Sequence, residues 1–252
     1  MAAERDGVSR RDALGAFGLI AGSAALVRPG SLAATVVGLG GSGPAGDPFW
    51  PDCVVTPAQT EGPYFVDEML ERVDIRSDPV DGSIATGHPL RLHLSVHRVD
   101  GAACAPVTGA HVDIWQCDSS GVYAGVRDAR GLFDTTGKKF LRGYQVSDAQ
   151  GSVAFQTIYP GWYPGRTPHI HFKIRLFAGS QRTFEFTSQL YFDDAITDRI
   201  FATGPYAEQG ERTTRNNRDG IFQREGGSQL MLRLREDGAQ WIGEFSVGLR
   251  LT

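Results

Sequence analysis

The sequence predicts an all-β fold, a sandwich or barrel of short strands joined by long loops. Apolar and polar residues alternate over several short windows, the period of a half-buried strand. Gly-, Pro- and Asp-rich turn signals separate those windows. Gly accounts for 32 of 252 residues and Pro for 13, against a usual Gly share of about 7%, so turns are abundant and long helices few. With 41% hydrophobic and 21% charged residues, the chain can bury a substantial core and is too apolar to be disordered. A formal net charge of −4, with no long basic run, argues against a nucleic-acid binder.

Residues 1–34 read as an export signal. Ser9-Arg10-Arg11-Asp12 precedes the uncharged Gly- and Ala-rich stretch 13–27, and small residues follow through Ala34. Fifteen uncharged residues fall short of the roughly 20 that a membrane-spanning helix needs, so no membrane span is expected. The adjacent arginines point to the twin-arginine route, although Asp12 and Ala13 stand where a bulky apolar residue is common. Residues 35–52 are Gly-rich and read as a flexible linker. The remainder, 53–252, reads as one β domain.

Leu92, Leu94 and Val96 alternate with Arg91, His93, Ser95 and His97 and predict the first strand. The stretch 100–109 reads as turn, and a second strand follows over 110–116. Strands over 140–146 and 153–158 flank a turn at 147–152 and suggest a hairpin. In 169–176, Ile170, Phe172, Ile174 and Leu176 alternate strictly with His169, His171, Lys173 and Arg175. Further strands are expected over 184–192, 229–235 and 241–247. Only 195–202 reads as helix. No internal repeat, GxGxxG or P-loop is present.

The chemistry concentrates in 159–173, YPGWYPGRTPHIHFK. Two residues apart on a strand, His169 and His171 present both rings on one face, a spacing suited to two ligands of one metal. Cupins also use such a pair, but with a carboxylate three to four residues on, where this chain has Arg175 and Leu176. Carboxylates and thiols are scarce near the pair. Tyr163 and Tyr123 stand in nearby turns, and a phenolate is a hard anionic ligand that a hard trivalent cation such as Fe³⁺ can generate. Zinc or copper on the histidines alone, and a non-catalytic binding sandwich, are the competing readings.

Three stretches together resemble the intradiol ring-cleavage dioxygenases: TPAQTEGPYF (56–65), IWQCDSSGVYAG (114–125) and 140–174 with its Y-x-x-R-x-x-H-x-H segment. Gln189-Leu190-Tyr191-Phe192 follows in the order the family shows. The resemblance implies a β-sandwich of mixed strands with long loops and few short helices. It implies a non-haem Fe(III) cofactor held by Tyr123, Tyr163, His169 and His171. Tyr123 matches the tyrosinate that stays bound through turnover, and Tyr163 the one displaced when a catechol chelates. Arg166 matches the family's active-site arginine, and Gln189 a glutamine near the substrate and oxygen pocket. The implied reaction inserts both atoms of O₂ between the two hydroxylated carbons, giving a cis,cis-muconate-type product. The partners are then a catechol and O₂; which catechol is cleaved, and whether the chain forms a homo-oligomer, the sequence leaves open. Trp162 and Trp115 are read as pocket wall or packing, Trp115 rather as packing. Only six positions separate Tyr163 from His169, fewer than in the catechol and protocatechuate enzymes, so a more open pocket wall is expected. The long helical N-terminal region typical of the catechol and hydroxyquinol enzymes is also lacking.

Three cysteines are present, none in a CxxC. An exported protein can keep disulfides. Seven strand residues between Cys104 and Cys117 span roughly 23 Å, too far for a bridge between them. A Cys53–Cys117 bridge, pinning the 56–65 arm beside the metal, is the pairing expected; three reduced thiols are the alternative.

Overall fold

A computed structural model describes residues 53–251. The export signal read at 1–34 and the linker read at 35–52 lie outside the described residues.

The alternating windows assemble into two sheets. In the first, β1 (Pro89–Asp100) is central. Along one side it pairs antiparallel with β2 (Ala103–Pro106) and β5 (Ser152–Ile158). Along the other it pairs parallel with β9 (Gln240–Leu249), which carries antiparallel β8 (Arg233–Asp237) outside it. The second sheet runs β4 (Arg142–Val146), β3 (His111–Trp115), β6 (His169–Ala178), β7 (Gln181–Tyr191), antiparallel throughout. Leu90, Leu92, Leu94, Val96 and Phe155 of the first sheet share one core with Val112, Ile114, Ile170, Phe172, Ile174 and Leu190 of the second. Burying side chains of this size is worth roughly 1.5–3 kcal/mol each. The all-β sandwich of mixed strands is therefore observed.

Four local expectations are corrected. The 100–109 stretch holds β2, because Asp100 and Ala103 close a tight turn and the chain folds back on β1. Strands β4 and β5 form no hairpin. β4 pairs with β3 and β5 with β1, so the intervening turn carries the chain from one sheet to the other. Ser147 fixes that crossing by donating Oγ–H to the Val107 carbonyl at 2.6 Å. The strand expected over 229–235 begins only at Arg233, because Gly226 (φ +74°) and a 3₁₀ turn at Gly227–Gln229 occupy its start. The predicted helix forms as α1 (Asp194–Phe201), capped by Asp193, which accepts from the Ala195 and Ile196 amides. Two short helices were unforeseen, α2 (Gly204–Ala207) and α3 (Gly220–Arg224). Among the described residues no helix is long and apolar enough to cross a membrane.

Residues 53–75 form a strap across the second sheet. It starts against β9, where Thr56 N–H donates to the Gly248 carbonyl at 2.8 Å. It crosses β7 through Gln59 N–H to the Thr187 carbonyl and Ser188 Oγ–H to the Pro57 carbonyl. It then pairs with edge strand β4 through Leu70 and Arg72, each bonded to Tyr144, and with β5 through Val73 and Ile75, each bonded to Gln156. The disulfide at the start of this strap is Cys53–Cys104, which overturns the expected Cys53–Cys117 pairing. Strand β2 sets Cys104 opposite Val99 at the sheet edge where the strap begins. Cys117, beyond the end of β3 in the other sheet, is a buried free thiol whose Sγ lies 3.6 Å from the Gly161 carbonyl.

Two predictions follow from these anchors and this burial. The disulfide closes a sequence separation of 51, so Cys104→Ser should cost about 2–4 kcal/mol and lower the melting temperature. An unchanged melting curve would show that the strap needs no covalent anchor. Burial also lowers the pKa of His93, His97, His111, His169 and His171 below 6.5. Their stabilising neutral forms are fully favoured above that pH, and the benefit is lost as pH falls and the unfolded chain takes up protons. Asp113 acts oppositely: burial raises it from 3.8 to about 6, so its ionisation weakens the fold as pH rises across that range. Five rings outweigh one carboxyl, and the metal-free protein should melt lower at pH 5 than at pH 7. Thermal scans across that window test the sign.

Candidate metal centre

The register of the second sheet sets out the site. Arg142 of β4 lies opposite Trp115 of β3, Trp115 opposite His171 of β6, and His171 opposite Gln189 of β7. The four side chains form one row on the face away from the sandwich core. In the neighbouring row His169 pairs with Tyr191. Trp115 stacks on the His171 ring with centroids 4.8 Å apart and planes 7° apart, so it packs, as expected, but against a site residue.

The two tyrosines arrive on loops that interlock. Tyr123 follows the 118–121 turn, in which Asp118 accepts from Ser120 and Val122 through Oδ1. Tyr163 follows Gly161, whose amide donates to the Asp118 carbonyl at 3.0 Å. The backbones meet so closely that a Cβ at Gly121 would lie 2.3 Å from the Trp162 carbonyl oxygen, and one at Gly161 2.5 Å from that of Ser119. Only glycine fits at either position. Gln209 staples the two loops, its Nε2 donating to the carbonyls of Ser120 and Trp162 at 2.8 Å each.

These constraints bring all four expected ligands together. His169 Nε2 lies 3.1 Å from His171 Nε2, 3.3 Å from Tyr123 Oη and 3.2 Å from Tyr163 Oη. His169 Nδ1–H donates to the Thr167 carbonyl at 2.7 Å, which turns the Nε2 lone pair towards this centre. His171 Nδ1 is buried without a hydrogen-bond partner. Burial and the positive charge of Arg166 hold both rings well below the usual imidazole range, and His169 and Arg142 lower His171 further. Burial raises both phenols above the usual tyrosine range. Among the described residues no group of three or more His, Cys, Asp or Glu converges. Two imidazoles and two phenols form instead the donor set of a hard cation able to displace phenolic protons, and the residues fit a ferric ion.

Arg166 and Gln189 also join the site. Arg166 Nη1 lies 3.4 Å from His169 Nε2, and its Nη2 donates to Gln189 Oε1 at 2.5 Å. Its Nε donates at 2.8 Å to Asp219, which is fully buried. Asp219 also accepts from the Thr167 amide and caps α3 through the Ile221 and Phe222 amides. Gln189 Nε2 donates to the Thr60 carbonyl of the strap, and Tyr191 Oη–H to Gln59 Oε1. Tyr64 of the strap stacks on Tyr123 at 4.7 Å and donates to Asp128. Sequence reasoning missed Asp219, Gln59, Tyr64, Tyr191, Gln209 and Arg142. Asp219-Gly220 does carry a helix-capping signal, but nothing in it announces an arginine partner.

The comparisons with known proteins agree. A family model described as dioxygenase, Dioxygenase_C, matches residues 60–217. A solved intradiol ring-cleavage dioxygenase from Tetranychus urticae is 31% identical, covers 79% of this chain and 95% of its own, and superposes with a TM-score of 0.66. The dioxygenase domain of a dioxygenase–carbohydrate-binding fusion from Streptomyces sp. SirexAA-E is 33% identical over 79% of this chain and 100% of its own, TM-score 0.54. A chlorocatechol 1,2-dioxygenase from Pseudomonas sp. (strain P51) is 30% identical over 156 residues, 53% of this chain and 54% of that protein. The chain spans about half the length of the curated relatives it matches. With the fold, the interlocked tyrosine loops and the histidine pair in place, these matches establish that the chain belongs to the intradiol ring-cleavage dioxygenase family.

Proposed function

We propose that this chain is an exported non-haem Fe(III) dioxygenase that inserts both atoms of O₂ into a catechol, cleaving between the hydroxylated carbons to give a cis,cis-muconate-type product. The convergence of Tyr123, Tyr163, His169 and His171 carries the reading. A ferric ion held by these four residues would supply Lewis acidity towards a chelating catechol.

The protein's own residues divide the remaining work. His169 and His171 would hold the metal, their Nε2 atoms 3.1 Å apart at the centre. Tyr123 is fully buried under Tyr64 and stays in place. Tyr163 is partly buried, on a short turn closed by Arg166 N–H to the Tyr163 carbonyl. Its side chain can rotate away, and its Oη can take a proton from the incoming catechol. Arg166, held by Asp219 and Gln189, faces the same centre with a fixed positive charge for density pushed onto the ring. Export is supported by the Arg10-Arg11 signal and by the Cys53–Cys104 disulfide, a bond suited to an oxidising compartment.

The visible spectrum tests this directly. Ferric protein should be red-brown, its band should shift on anaerobic addition of catechol, and O₂ should restore it with release of a ring-opened diacid. Labelled O₂ should place both atoms in the product; a colourless ferric-reconstituted protein would sink the proposal. Tyr123→Phe should bind iron on the order of 10- to 100-fold more weakly. Tyr163→Phe should keep its colour yet slow catechol binding on the order of 100-fold for want of its base. Stopped-flow mixing under nitrogen separates the two effects.

A further inference from the structure

The two arginines of the site differ in how their charge is balanced. Arg166 faces a buried carboxylate, Asp219. Arg142 faces none. It opens β4 and is 2% exposed. Its Nε donates to the Ala124 carbonyl at 2.9 Å, and its Nη2 donates to the same oxygen. Its Nη1 is buried with no hydrogen-bond partner. Of the acids, the one whose charge reaches it is Glu68, and Glu68 is already paired with Lys139 at 2.6 Å.

A buried guanidinium without an anion is costly, and the cost falls when an anion forms beside it. The carbonyl Arg142 holds belongs to Ala124, the residue after Tyr123, so the guanidinium sits against the segment that carries that tyrosine, and a charge on Tyr123 would act on it. Arg142 also stands in the cross-strand row that leads through Trp115 to His171, and its charge helps keep that ring neutral. Burial lowers its pKa only to about 10, so the charge is present at neutral pH.

We propose that Arg142 is a positioning residue that supplies the fixed countercharge of Tyr123 as a tyrosinate, a role that rests on the ferric reading above. The arrangement separates the two tyrosines. Arg166 acts on both phenols but is already balanced by Asp219. Arg142 has no carboxylate of its own and is free to balance Tyr123, the ligand that stays.

Full-length Arg142→Gln and Arg142→Lys proteins, reconstituted with ferric iron, test this. Gln keeps a donor for the Ala124 carbonyl and removes the charge; Lys keeps the charge and loses the two-pronged grip. Arg142→Gln should move the tyrosinate-to-iron band to longer wavelength, because the phenolate electrons rise in energy without the neighbouring charge. It should also weaken ferric affinity on the order of 10- to 100-fold in competition with a chelator. Arg142→Lys should keep the wild-type band and most of the affinity, with thermal unfolding checking the fold of each. An unmoved band in Arg142→Gln, or Arg142→Lys as impaired as Arg142→Gln, would overturn the proposal and leave Arg142 as a brace for Ala124. Should Arg142→Gln fail to fold, the Arg142→Lys band decides alone. A wild-type protein without a visible ferric band would overturn the ferric reading itself, whereas a normal wild-type band beside indifferent variants would overturn only this step.

Discussion

The structure depends on burying a sheet face that carries charge. Strand β6 turns Ile170, Phe172 and Ile174 into the sandwich, and His169, His171, Lys173 and Arg175 to the opposite side. All seven are nonetheless buried. Covering cations without partners would cost several kcal/mol each, so the covering segment must bring anions. The strap does this: Glu61 pairs with Lys173 and Asp67 with Arg175, while Glu185 of β7 and Asp113 of β3 complete the two pairs. Phe65 lies under the Lys173 ammonium at 4.1 Å and against Trp115 at 4.8 Å. The strap is thus at once a charge-matched lid and the carrier of Tyr64 and Gln59.

Along β6 the compensation changes character. At the Lys173–Arg175 end each cation meets carboxylates. At the His169–His171 end the strap offers Gly62, where a Cβ would stand 3.5 Å from His171 Cε1, and no acid. The groups there are neutral rings, raised phenols and two arginines, of which one is balanced by Asp219. Such a centre is poor in negative charge until phenolic protons leave, and a metal that removes them relieves this. The same sheet face therefore serves stability at one end and chemistry at the other.

How far the sequence revealed this follows from the range of each interaction. The β class, most strands, α1 and the His169/His171 pair rest on local periodicity, which is written in neighbouring residues. Tyr123 and Tyr163 stand out as phenols in turns, but forty-six positions separate Tyr123 from His169 and no spacing rule connects them, so their separate roles, and Arg166 and Gln189 altogether, are legible only through resemblance. The β4–β5 hairpin was misread because alternation tells which face a residue takes, not which sheet receives the strand. The disulfide was misread for a related reason: Cys104 was placed on a turn, and only the pairing of β2 with β1 sets it beside the start of the strap. Asp219, Gln209 and Arg142 bond across long separations to backbone or to each other's loops, and composition carries no trace of that.

The short link between Tyr163 and His169 ties a phenol and a cation of the site to one bend. Tyr163 and Arg166 bridge across a tight turn, so the phenol proposed to be displaceable and a fixed charge sit at the two ends of the same bend. Pro164 and Gly165 at its tip are exposed, and the Gly165 amide is tied to Thr214 Oγ1 at 3.2 Å. The turn is anchored while its outer side faces water. The backbone that positions Tyr163 is therefore held on both sides of the bend while its tip stays at the surface. Across from this bend Gln189 is tied to the strap through the Thr60 carbonyl, and the strap is held there by its disulfide, by its backbone bonds to β9, β7, β4 and β5, and by the carboxylates it brings to Lys173 and Arg175.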